Sequence, residues 1–94
     1  AVGDNANAIG LYAVALGVNT AGAGNLSAAL GPLASTSGRA AVAIGYQSEA
    51  GEEAVAIGDT AKAVADGIAI GRRSSGTGTS AIAIGSDGTD ADVL

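Results

Sequence analysis

The chain has 94 residues, a net charge of −5, and no His, Cys, Met, Trp or Phe, so it lacks the side chain that titrates near neutrality, any thiol nucleophile and every soft metal ligand. Two tyrosines are too few for a base-stacking platform, and nine acids against four bases disfavour a polyphosphate partner. The composition therefore predicts no enzyme, no cofactor, no bound metal and no nucleic acid.

Read from the N-terminus, the chain is a series of near-copies. Ala1-Val2-Gly3 closes a partial one. Six follow, at Val14-Ala15-Leu16-Gly17, Ala28-Ala29-Leu30-Gly31, Val42-Ala43-Ile44-Gly45, Val55-Ala56-Ile57-Gly58, Ile68-Ala69-Ile70-Gly71 and Ile82-Ala83-Ile84-Gly85. Their glycines are spaced 14, 14, 13, 13 and 14 residues apart, and Ser86–Leu94 begins another copy. Each copy also has a weaker half: three and five residues after the glycine stand small residues, as in Thr20 and Gly22, Ala34 and Thr36, or Ser48 and Ala50. Both halves alternate with period two, which is strand geometry. Val and Ile suit a pleated surface, and no 3.6-residue pattern survives a glycine in every copy.

Thirteen to fourteen residues hold two short strands and two tight turns. One turn is expected at the repeated glycine, as in Gly45-Tyr46-Gln47, and the other in polar stretches such as Ser37-Gly38-Arg39 and Gly51-Glu52-Glu53. Parallel stacking of such coils at about 4.8 Å gives a thin rod roughly 30 Å long. Val and Ile either fill the roll, leaving Ala43, Ala56, Ala69 and Ala83 outside, or face outward as an apolar strip. Alanine supplies 23 residues and the larger aliphatics only 20, so one chain is short of core. Disulfides are impossible, and burial in an oligomer is the expected remedy.

Other patterns read as parts of the roll. Gly76-Thr77-Gly78-Thr79-Ser80-Ala81 matches a dinucleotide fingerprint but precedes another strand, where the fingerprint needs a helix. The acids cluster in turns without a convergent calcium loop, and Asp59, Asp66 and Glu53 are expected to pair with Lys62, Arg72 or Arg73. Arg72-Arg73, the only basic doublet, and Tyr46, on the equivalent turn two repeats earlier, are candidate ligand contacts. Only Thr77-Gly78-Thr79 resembles the threonine ladder of an ice-binding solenoid, which is the more distant alternative. Apolar runs such as Ala40–Ile44 are far shorter than a membrane span, so no direct membrane contact is expected.

The copies Ala41-Val42-Ala43-Ile44-Gly45-Tyr46-Gln47-Ser48, Ala54-Val55-Ala56-Ile57-Gly58-Asp59-Thr60-Ala61 and Ile68-Ala69-Ile70-Gly71-Arg72-Arg73-Ser74 resemble the head repeats of trimeric autotransporter adhesins, the YadA-like heads of Gram-negative bacteria. The resemblance covers essentially the whole chain. It implies an all-β, left-handed parallel β-roll of two-strand coils that forms a homotrimer. Residues 1–94 would be a single head-repeat domain, a fragment of a longer cell-surface protein whose outer-membrane anchor lies elsewhere. The implied role is attachment to host cells or to matrix proteins such as collagen, fibronectin or laminin; the alternative is a non-binding spacer. Val42, Ala43, Ile44, Val55, Ala56, Ile57, Ile68, Ala69 and Ile70 would form the core and trimer contact. In collagen-binding heads the repeat begins Asn-Ser. Here Ser27 holds the serine position, whereas Ser80 stands one residue early, and Ser80, Ala81, Ile82, Ala83, Ile84 and Gly85 join the candidate ligand contacts.

Overall fold

Hydrophobic alternation over only three residues, interrupted by a glycine, leaves room for short strands and little else. The computed structural model describes residues 2–76, 78 and 80–85, and among them every regular element is a strand of two or three residues. In chain order these are β1 (Asn7–Ala8), β2 (Val14–Leu16), β3 (Ala21–Gly22), β4 (Ala28–Leu30), β5 (Ser35–Thr36), β6 (Val42–Ile44), β7 (Glu49–Ala50), β8 (Val55–Ile57), β9 (Lys62–Ala63), β10 (Ile68–Ile70), β11 (Ser75–Gly76) and β12 (Ile82–Ile84). The even-numbered strands form one six-stranded parallel sheet and the odd-numbered strands another. The result is an all-β solenoid measuring 36 × 20 × 12 Å.

Register follows the repeat. Val42 pairs with Val55, Ala43 with Ala56 and Ile44 with Ile57, and the same columns run from β2 to β12. In the odd-numbered sheet Ser35, Glu49, Lys62 and Ser75 stack in one column and Thr36, Ala50, Ala63 and Gly76 in the next. Identical positions therefore meet identical positions, as stacking of near-copies requires.

Both turns of a coil share one design. A four-residue turn closes with the N–H of its last residue donating to the carbonyl of its first, as from Ser48 to Gly45 (3.3 Å) and from Ala54 to Gly51 (3.1 Å). Its third residue has a left-handed φ, between 54° and 63° at all twelve such non-glycine positions, Leu26, Leu33, Glu53 and Arg73 among them. A type II turn needs φ > 0 there. The turns fall where the sequence predicts them, and the repeated glycines also have positive φ, between 118° and 143°. Side chains accept the strain because the third residue's N–H continues the ladder. Arg73 donates to the Asp59 carbonyl and Glu53 to the Arg39 carbonyl, each at 2.7 Å, one coil back. Pro32 fits the second turn position: its fixed φ suits the turn, and its carbonyl accepts from Gln47 at 3.0 Å.

The interior decides which way the aliphatic side chains face. Four-residue turns hold the sheets so close that only methyls and hydroxyls fit between them. Ala15, Ala29, Ala43, Ala56, Ala69 and Ala83 are fully buried, while Val and Ile point outward. The small second-half residues, Thr20, Ala34, Thr36, Ser48, Ala50, Ala61, Ala63 and Ser74, and the turn-closing Ser27, Ala41 and Ala54 complete the core. Their hydroxyls are all bonded: Thr20, Ser27, Ser48 and Ser74 each donate to the carbonyl of their own turn's first residue, and Thr36 donates to Ser27 at 2.9 Å. A hydroxyl satisfied in this way is no burden to the core.

The change from 14 to 13 residues has one location. Coils of the longer kind carry an extra exposed residue just before the second turn: Ile9, Ala23 or Ser37. It is missing before Gly51 and before Val64, and the strands on either side keep their register.

Candidate functional site

Among the described residues the core holds no acid or base, and its buried hydroxyls are all engaged in hydrogen bonds, so the surfaces are what the fold offers. The even-numbered sheet turns two aliphatic columns outward. One runs Val14, Ala28, Val42, Val55, Ile68 and Ile82, the other Leu16, Leu30, Ile44, Ile57, Ile70 and Ile84. The columns stand about 7 Å apart and about 24 Å from first strand to last. Stacked neighbours half-bury the middle members, while Val14, Ile44, Ile82 and Ile84 are 38–55% exposed. An aliphatic strip this continuous is the kind of surface that marks an interaction site. The odd-numbered sheet presents the opposite character, a polar column of Asn7, Ala21, Ser35, Glu49, Lys62 and Ser75.

Two turn ridges flank the apolar sheet. The first follows each even-numbered strand and carries Val18-Asn19, Pro32-Leu33, Tyr46-Gln47, Asp59-Thr60 and Arg72-Arg73. The second precedes each strand and carries Leu11-Tyr12, Asn25-Leu26, Arg39-Ala40, Glu52-Glu53 and Ala65-Asp66. After Asp4-Asn5 at the start of the first ridge, both ridges are largely apolar in their N-terminal half and charged further along.

Ion pairing departs from the expectation drawn from sequence. Among the described residues the pairs are Arg39 with Glu53 (2.6 Å) and Lys62 with Glu49 (3.6 Å), and Asp59, Asp66, Arg72 and Arg73 take part in neither. Glu49 and Lys62 are register partners on adjacent coils, and Arg39 reaches Glu53 on the next turn of the same ridge, whereas Asp59 and Arg72 hold equivalent turn positions one coil apart and do not pair. Both pairs are about half exposed, so each contributes at most about 1 kcal/mol.

The candidate ligand contacts fall into separate places. Tyr46, Arg72 and Arg73 share the first ridge, with Tyr46 about 10 Å, or two coils, from the arginines, and all are exposed. Ser80 lies on the second ridge with φ 61°, Ala81 is half-buried beside it, and Gly85, directly after β12, has φ 143°. Ile82 and Ile84 point outward and Ala83 is enclosed, so Ser80–Gly85 does not present one surface. The core and contact set divides likewise: Ala43, Ala56 and Ala69 lie inside, whereas Val42, Ile44, Val55, Ile57, Ile68 and Ile70 face out. Of the stretch Gly76–Ala81, Thr77 and Thr79 lie outside the described residues, and the strand β12 follows where a dinucleotide site needs a helix.

A shallow depression on the polar face lies over Ser35, Glu49 and Lys62, bounded by Ser37 on one side and Val64 on the other. It opens where the ridge of extra residues ends after Ser37. Among the described residues no group of His, Cys, Asp or Glu is placed to hold a metal ion. Chemically, these surfaces offer contacts, apolar on one face and mixed polar elsewhere.

Comparison with protein families gives one match, the YadA head domain repeat, over residues 1–20, 23–48, 50–74 and 65–87. No curated protein matches the chain significantly.

Proposed function

The chain belongs to the family of YadA head domain repeats, an adhesin-type domain, and from that premise we propose that it is part of a bacterial surface adhesin head that works as a homotrimer and attaches to host matrix or cells. The observation that carries the trimer is the outward aliphatic face of the even-numbered sheet, which one chain leaves in water and three chains around an axis would cover. The polar sheet then remains for display. The role is non-catalytic, in keeping with a chain that has neither His nor Cys. Attachment is multivalent: three copies of each exposed contact act together, and their avidity exceeds that of any single one. The location we infer is the surface of a Gram-negative bacterium, with collagen, fibronectin or laminin as the class of partner.

Two measurements test this reading. Light scattering with circular dichroism is expected to give a β-type spectrum and three times the chain mass of 8.7 kDa. Solid-phase binding of the isolated trimer to a panel of matrix proteins is expected to be strong and saturable. A trimer that binds none of them is a spacer that holds another domain away from the cell, and a folded monomer overturns the assembly.

A further inference from the structure

We infer that the two turn ridges are mates: in the homotrimer the first ridge of one chain lies against the second ridge of the next, with Arg72 and Arg73 facing Asp66 across the contact and Glu52 one coil away. The inference rests on the trimer proposed above and adds which surfaces meet in it. Threefold symmetry is heterologous, so each chain must offer two different patches, one to each neighbour. Three apolar sheets turned toward a common axis form the sides of a triangular prism. Each sheet is about 10 Å wide, three residues at about 3.3 Å each. At every corner of that prism one chain's first ridge meets its neighbour's second ridge, at the height of the same coil.

The side chains agree with that pairing coil by coil. Where the second ridge offers Leu11, the first offers Val18; where it offers Leu26, the first offers Leu33. In the third coil Arg39 meets Tyr46, an arrangement that favours cation over ring. In the fifth Asp66 meets Arg72 and Arg73. The fourth coil is acidic on both sides, Glu52 and Glu53 against Asp59. It is bracketed by Arg39 on one side and by Arg72 and Arg73 on the other, about 4.8 Å away along the stack and well inside the screening length. Within one chain Glu53 is already engaged by Arg39. Glu52, Asp66, Arg72 and Arg73 form no ion pair among the described residues, and they lie on opposite edges of the apolar sheet.

A cysteine-free chain makes the test direct. The double variant Asp66→Cys/Arg73→Cys is oxidised as the assembled protein, and its mass is read on a denaturing gel. The two positions flank a whole strand and cannot bridge within a chain, since a disulfide needs Cα atoms within about 7 Å. Covalent dimers and trimers, absent from either single variant, are the expected result. A second variant, Arg72→Glu/Arg73→Glu, should increase dissociation about tenfold at low salt, and adding Glu52→Arg/Asp66→Arg should restore assembly. Glu53 already occupies the same left-handed turn position as Arg73, so the reversal leaves the fold intact. A native trimer with no covalent species, or a charge reversal without effect or without rescue, overturns the ridge pairing and leaves the trimer standing. A native monomer overturns both.

Discussion

Replacing Ala56 with Leu tests the inward alanine column at its centre. Ala56 is fully buried, stacked between Ala43 and Ala69, in a roll whose thinnest dimension is 12 Å. Leucine adds three carbons, and the closed four-residue turns at both ends of the strand prevent the sheets from separating to admit them. Inserting extra methylenes into a packed core costs about 1–3 kcal/mol, and this site belongs at the upper end. For a domain near 100 residues each kcal/mol moves the melting midpoint by about 4–8 °C, so a fall of about 12–24 °C is expected. The assay is thermal unfolding by circular dichroism at one fixed protomer concentration, because assembly makes the midpoint concentration-dependent. Ile57→Leu, one residue along on the outward column, is the control and should cost under about 1.5 kcal/mol. A melting point for Ala56→Leu as close to wild type as that of the control would refute the inward column.

Four further outcomes follow from the same geometry. Ile57→Asp places a charge on the outward face and should leave the coil folded while reducing the light-scattering mass from three chains of 8.7 kDa to one; a variant that remains trimeric would put the contact elsewhere. Gly58→Ala should destabilise by about 2 kcal/mol or more, since its Cβ would stand 2.6 Å from the Gly71 carbonyl oxygen at φ 131°. Gly51→Ala should be nearly neutral by the same thermal assay, because its nearest neighbour would be 3.4 Å away. Arg39→Ala should lower stability by no more than about 1 kcal/mol, and the loss should shrink in 1 M salt.

The period, both turns and the two-faced strands are legible in the sequence because stacking repeats one pattern at every coil, and small residues at offsets three and five from the glycine mark the second strand. Alternation alone does not say which face is inside. Ala56 and Ile57 are equally compatible with either side until the sheet separation is known, and the turns set that separation. The left-handed residues were hidden for another reason. Asn5, Asn19 and Asp66 advertise such a φ, but Leu26, Leu33, Glu53 and Arg73 do not. Their strain is tolerated because a backbone bond to the neighbouring coil continues through them, and no side-chain signal reports that. The ion pairs were readable in principle: Glu49 and Lys62 hold the same position in successive copies, and Arg39 and Glu53 lie on successive second turns. The candidate contacts Tyr46, Arg72 and Arg73 share a ridge because equivalent turns stack, which the spacing announces. What they touch is a property of the partner.

The single residue that distinguishes long coils from short ones gives the rod a tolerant corner. Ile9, Ala23 and Ser37 are present and their counterparts before Gly51 and Val64 are absent, yet no paired position shifts. Length at that corner is therefore decoupled from the stack, much as slack in a hem leaves the weave undisturbed. Copies can drift in length there, or accept a longer protruding loop, without passing any displacement to the coils above and below. A foreign peptide inserted before Gly51 would ride on the outside of the roll at a known height and in a known direction.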